Sequence, residues 1–148
     1  MKKIGVLIAV LLLSGLAIPA SAQKRVLWRK GETKNPVAEL AKAVENGRKL
    51  FHNDSLGTNG MTCNSCHLGG GTEEGKMGEK NLPAFDKLGC KFPKYIEMAK
   101  RVMTLDQMNN FCIVNSLKGQ ALVWDDPRLT DLTAYVASLK VHKTEEKK

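Results

Sequence analysis

The chain has 148 residues, 43% of them hydrophobic, and its 23 Lys and Arg against 15 Asp and Glu give a formal charge of +8. That length suits one domain around one core, so a second domain is not expected. The basic residues are scattered, without a stripe and without interleaved aromatics, which argues against nucleic acid as a partner.

Lys2 and Lys3 precede an apolar run from Ile4 to Ile18, and Pro19-Ala20-Ser21-Ala22 supplies a small-residue cleavage site. Residues 1–22 therefore read as a cleaved secretory signal peptide with Gln23 as the mature start. The run is short for a membrane span, lacks a basic stop-transfer flank, and no other segment is apolar enough, so no span is expected after cleavage. The 126 residues that remain carry 21 basic and 15 acidic side chains, or +6. Residues 23–36, polar and basic around Trp28 with Gly31 and Pro36 as breakers, read as an arm.

From Pro36 the pattern changes. Val37, Leu40, Ala41, Val44, Arg48 and Phe51 recur at three- and four-residue steps, as in an amphipathic helix with Pro in its first turn. Gly47 lies four residues before Phe51 on the same face, where a missing side chain lets another helix cross closely. Residues 53–61 are a loop rich in Asn, Asp, Ser and Gly. It leads into Thr62-Cys63-Asn64-Ser65-Cys66-His67, whose C-x-x-C-H spacing is the signature of covalent c-type haem attachment. Two intervening residues let one backbone turn present both sulfurs to one edge of the ring, and the next side chain falls under the metal. Cys63 and Cys66 would form the thioethers and His67 would be the proximal axial ligand of one haem c. Two propionates would bring the mature charge to about +4.

Residues 68–94 contain Gly69-Gly70-Gly71, Gly75, Gly78, Pro83 and Gly89 and read as an irregular functional loop that wraps the haem edge. A short helix is expected from Tyr95 to Arg101. Thr104 with Gln107 forms a capping box for a further helix, with Gly119 as its stop. Leu105, Met108, Cys112 and Ser116 share one face of it. Asp126-Pro127 opens the last helix, with Leu129, Leu132, Tyr135, Val136 and Leu139 as its buried side. Residues 141–148 form a charged tail, and no strand with convincing alternation is visible.

Two cysteines remain in a chain destined for an oxidising compartment. Cys112 lies mid-helix on an apolar face downstream of the haem motif, where a second axial group would approach the iron. A thiolate there would favour ferric iron and a low potential. Three alternatives compete: a Cys90–Cys112 disulfide; a methionine ligand from Met77, Met98, Met103 or Met108; and bis-histidine ligation through His52 or His142. Zinc held by all four cysteines is disfavoured by the wide spacing of the second pair. A thioredoxin-like pair lacks its flanking strand and helix. Lys100 and Arg101 are candidate propionate partners among many lysines. No general acid–base pair is legible, so electron transfer or ligand binding at the haem ranks ahead of catalysis.

An early helix with Gly47 and Phe51, then C-x-x-C-H, then a last helix with Tyr135 resembles class I cytochrome c. The resemblance implies an all-α fold, four to five helices around one covalently attached haem in residues 37–140, with the first and last helices crossing. The usual methionine after the connector glycine is missing from Gly119-Gln120-Ala121-Leu122-Val123. From Phe92-Pro93-Lys94-Tyr95 onward the likeness is closer. Leu105 through Cys112, Lys118-Gly119-Gln120-Ala121-Leu122, and Asp126-Pro127 through Val136 look like the haem domains of SoxA and thiosulfate dehydrogenase. There the cysteine at the place of Cys112 is the distal iron ligand. The single-haem NaxL/NaxS cytochromes of anammox bacteria share this plan, pair as dimers and bind NO and CO. The resemblance thus implies a low-potential His67/Cys112 cytochrome that takes up small diatomic gases on ferrous haem. A plain electron carrier, or the haem subunit of a thiosulfate-oxidising complex, is the alternative. It further implies a redox partner protein, homo- or heterodimerisation, and a periplasmic location, or the anammoxosome lumen in an anammox bacterium.

Overall fold

The computed structural model describes residues 35–140. The signal peptide expected at 1–22, nearly all of the arm with Trp28, and the tail with His142 lie outside them.

Helix α1 spans Pro36–His52. Asn35 caps it, its side-chain oxygen accepting the Ala38 amide at 3.0 Å, and Pro36 occupies a first-turn position where no amide is missed. Only the second half of the expected apolar face is used. Val37 and Leu40 are exposed, whereas Gly47 and Phe51 are buried. A 3-10 turn, Asp54–Leu56, leads to the one-turn helix α2, Cys63–Cys66. Helix α3 spans Leu105–Asn115 and helix α4 Pro127–Ser138. Thr104 and Gln107 form the expected capping box, the Gln107 side chain accepting the Thr104 amide at 3.1 Å. Asp126 caps α4 ahead of Pro127.

Helices α1 and α4 are locked at Gly47. A Cβ there would fall 2.0 Å from the Asp131 carbonyl oxygen and 2.7 Å from Tyr135 Cβ, so only glycine permits this approach. Asn46 donates to Asp131 Oδ2 across the same contact at 3.1 Å. The Phe51 and Tyr135 rings meet edge-on at 5.3 Å, and both join Leu132, Val136 and Leu139 in the core. All five residues expected on the inner face of α4 are buried.

The fold is not all-α. Four three-residue strands form two antiparallel hairpins: β1, Gly75–Met77, with β2, Lys80–Leu82; and β3, Lys94–Ile96, with β4, Arg101–Met103. The second replaces the helix expected from Tyr95 to Arg101. Its six strand residues include Tyr, Ile and Val, which suit a pleated ribbon. A 3-10 turn, Glu97–Ala99, followed by Lys100 at φ 53° reverses the chain between them, and a left-handed residue there stops helical propagation. Three-residue strands are too short to show the alternation by which strands are recognised.

Gly119 also has another role than the expected helix stop. Helix α3 ends at Asn115, and Lys118 supplies the left-handed residue at φ 59°. Gly119 instead touches the turn before the haem motif, where a Cβ would fall 1.9 Å from the Leu56 carbonyl oxygen.

Candidate haem site

Helix α2 is one turn long and is held from both ends. Ser65 Oγ accepts the Thr62 amide at 3.0 Å, and Asn64 Oδ1 accepts the Gly70 amide at 2.8 Å, so the residues between the two cysteines tie the motif to its surroundings. Gly70, at φ 67°, turns the chain beneath α4, and the buried Tyr135 hydroxyl donates to its carbonyl at 2.8 Å. Strand β1 closes the other side, with Gly75 so near that a Cβ would lie 1.9 Å from the Cys66 carbonyl oxygen.

The motif faces a cavity of about 560 Å³, within the range of pockets that hold cofactors. Cys63, Cys66 and His67 contribute to its wall from α2, and Cys112 from α3. Leu105, Met108 and Ser116, which share the expected face with Cys112, line it too. The remaining wall is mainly apolar and comes largely from the 77–98 segment, with Phe85, Leu88, Phe92 and Ile96. Among the described residues no three His, Cys, Asp or Glu side chains come close enough to hold a bare metal ion. The four residues are spread over the wall of a wide space instead of closing on a point.

Burial controls the protonation of these groups. It pushes the Cys63 thiol up to about 12, reinforced by Cys112 nearby, and the Cys112 thiol up to about 11, reinforced by Cys66. Both thiols are thus neutral in the protein alone. Burial lowers the His67 pKa, so its imidazole is neutral, the form that ligates metals. Phe85 stacks obliquely on the His67 ring, with centroids 4.3 Å apart at 43°. His67 Nδ1 is buried without a hydrogen-bond partner, an arrangement that costs about 1–3 kcal/mol. An apolar cavity with the two motif cysteines and an unpartnered imidazole on its wall fits a haem.

The competing ligands separate by position. Cys90 is exposed and Cys112 lines the cavity, and both are free, so the disulfide is not formed. His52 is exposed and Met103 is buried, and neither lines the cavity. Met77, Met98 and Met108 do. Lys100 and Arg101 stand exposed on the β3–β4 hairpin outside the wall, to which Lys91 and Lys94 contribute the basic groups. Phe85 was not singled out by sequence, and Phe92 entered only through the Phe92-Pro93-Lys94-Tyr95 likeness. Phe85 stands two residues after Pro83 and Phe92 just before Pro93, in a segment without helical or strand periodicity.

A family model described as the SoxA/TsdA cytochrome c domain matches residues 46–140. The chain belongs to this family. A SoxA/TsdA cytochrome c domain carries covalently bound haem c, and the cavity described above is where this chain has room for it. The thiosulfate dehydrogenase of Allochromatium vinosum is 34% identical over 111 residues, 70% of this chain and 40% of that protein. The L-cysteine S-thiosulfotransferase subunit SoxA of Rhodovulum sulfidophilum is 30% identical over 96 residues, 65% of this chain and 29% of that protein. The chain therefore spans well under half the length of these relatives. Among solved structures, thiosulfate dehydrogenase (TsdBA) from Marichromatium purpuratum superposes with a TM-score of 0.54 at 19% identity. The match covers 74% of this chain and 25% of that one, and shows a shared fold. No helix among the described residues is long and apolar enough to cross a membrane.

Proposed function

We propose that this SoxA/TsdA-type cytochrome is an exported, single-haem redox subunit of a thiosulfate-oxidising system. In this reading residues 1–22 are removed on export to the periplasm, 23–36 form an arm, 37–140 the haem domain and 141–148 a tail. Cys63 and Cys66 would hold the haem through thioethers. His67 would be the proximal and Cys112 the distal ligand of its iron. The haem supplies a one-electron store. The observation that carries the reading is that Cys63, Cys66 and His67 from α2 and Cys112 from α3 line one apolar cavity.

The chain's own residues tune that store. Phe85 fixes the His67 ring, and the apolar wall keeps water from the sulfur of Cys112. The buried Cys112 thiol would serve as an anionic donor only to a metal, and such a donor would favour ferric iron. With one haem motif, electrons leave through a partner protein, a related cytochrome being the simplest. The relatives' names favour a sulfur-compound system over uptake of NO or CO, over pairing as in the NaxL/NaxS cytochromes and over an anammoxosome location.

Electron paramagnetic resonance of the ferric protein beside its Cys112→Ala variant tests the ligand. The expected result is a low-spin thiolate signal in the native protein that disappears in the variant. An unchanged signal would return Cys112 to the ordinary core. Ferrous protein inert to CO fits the redox subunit, whereas a CO adduct formed without added denaturant would reinstate the gas-binding reading.

A further inference from the structure

The β3–β4 hairpin has two unlike faces. Inward, Ile96 and Met103 are buried, and Lys94, Ile96 and the turn residue Met98 help to wall the cavity. Outward, Tyr95 and Val102 stand directly opposite each other in the ladder and are 55% and 63% exposed. Met98, at the turn between the two faces, lines the cavity with part of its side chain and is 49% exposed. Single exposed apolar residues are ordinary, but an aromatic, a branched aliphatic and a methionine gathered on one short ribbon make a patch.

The hairpin that carries the patch is basic. Lys100 lies in the turn, Lys94 and Arg101 are exposed on the other side of the ribbon, opposite Met103 and Ile96 in the ladder, and Glu97, the single acidic residue of the 94–103 segment, pairs with Lys100, so the hairpin is basic as a whole. Lys94 Nζ sits 4.9 Å over the Phe92 ring, which holds its charge beside the cavity wall. Arg101 has no carboxylate partner among the described residues. An apolar centre with Tyr and Met on a basic ribbon has the composition of a protein-docking surface. The sign of that charge specifies an acidic partner.

We propose that the outward face of the β3–β4 hairpin docks an acidic redox protein, which seats on Tyr95, Met98 and Val102 and is steered by Lys100 and Arg101. The proposal rests on the redox-subunit reading. A partner seated there is separated from the cavity by one ribbon, about the 10 Å spacing of packed layers. In each exchange the iron passes from ferrous to ferric and the metal of the partner gains that one electron.

The test uses the full haem-loaded protein, reduced anaerobically and mixed with an acidic blue-copper protein as oxidant over a range of ionic strength. The bimolecular rate should fall steeply with salt. Lys100→Glu with Arg101→Glu should slow it about tenfold or more at low salt. Tyr95→Ser with Val102→Ser should slow it while keeping the salt dependence. Lys42→Glu with Lys140→Glu changes the charge equally at exposed sites off the hairpin, and should alter the rate less than about twofold. A basic cytochrome c used as oxidant should react more slowly with the native protein and faster with the Lys100→Glu/Arg101→Glu variant. Haem spectra and midpoint potentials of all variants should match the native protein. Hairpin variants no slower than the Lys42→Glu/Lys140→Glu control, or native protein that prefers the basic oxidant, would overturn the docking surface alone. Native protein that exchanges electrons with neither oxidant would overturn the redox-subunit reading and the docking surface with it.

Discussion

At the residue scale the chemistry that decides the potential sits opposite the haem motif. Thioether formation fixes the spacing of Cys63 and Cys66 so tightly that sequence alone points to them. Cys112 is specified only by lying on the helix face with Leu105, Met108 and Ser116, all of which line the cavity. If Cys112 is the distal ligand, Cys112→Met exchanges an anionic for a neutral sulfur and adds two carbons to a side chain that lines the cavity. The midpoint potential should then rise by on the order of 0.1 V or more, within the ~0.8 V range that axial ligands span. A redox titration that shows no shift would place the iron's sixth ligand elsewhere. Phe85 illustrates what sequence does not convey. Its contact with His67 joins positions 18 residues apart through an irregular segment, and no periodic pattern marks it. Phe85→Ala should destabilise the folded protein by about 2–4 kcal/mol, seen as a lower denaturant midpoint. It should also loosen the imidazole, seen as a broadened low-spin signal.

At the scale of elements, the three long helices were legible because each announces itself twice, by apolar spacing and by a start signal. Pro36 marked the first helix, Thr104 with Gln107 and Asp126 with Pro127 the other two, and the structure adds Asn35, whose side chain accepts an orphan amide as those of Gln107 and Asp126 do. The hairpins were not legible, because three-residue strands carry too few residues for a pattern and their turns depend on Lys100 and Gly78 adopting positive φ. Gly47 gives the sharpest test of the helix packing. Alanine is favoured over glycine by about 1 kcal/mol inside a helix. Here its Cβ would overlap the Asp131 carbonyl, a backbone atom that moves only if α4 moves. Overpacking of this kind costs about 1–3 kcal/mol or more and outweighs the helical gain. Gly47→Ala should therefore lower the melting temperature, and a stabilised variant would mean that α1 and α4 do not meet at this point.

At the scale of the whole molecule, the haem motif is tied to the last helix by one buried bond, from the Tyr135 hydroxyl to the Gly70 carbonyl. Sequence pattern placed Tyr135 on the inner face of α4 but not its partner, since that bond spans 65 positions and lands on a backbone atom. Tyr135→Phe keeps the ring against Phe51 and leaves the carbonyl unsatisfied, at a cost of about 1–3 kcal/mol. The same bond makes stability depend on alkaline pH. Burial raises the Tyr135 pKa, so the folded state holds the phenolic proton more tightly than the unfolded chain does. Below the unfolded value, about 10, both states are protonated and the contribution is complete. As pH rises past that value the unfolded chain loses its proton first, ν_U falls below ν_N, and unfolding becomes easier. The contribution is lost as pH climbs through the raised folded value. Lysines titrate in the same range, so the comparison that isolates Tyr135 is the difference between native protein and Tyr135→Phe. From about pH 9 to 11 the native melting temperature should fall more steeply than that of the variant. Parallel curves would mean that the hydroxyl is open to solvent and that α4 does not hold the haem turn through it.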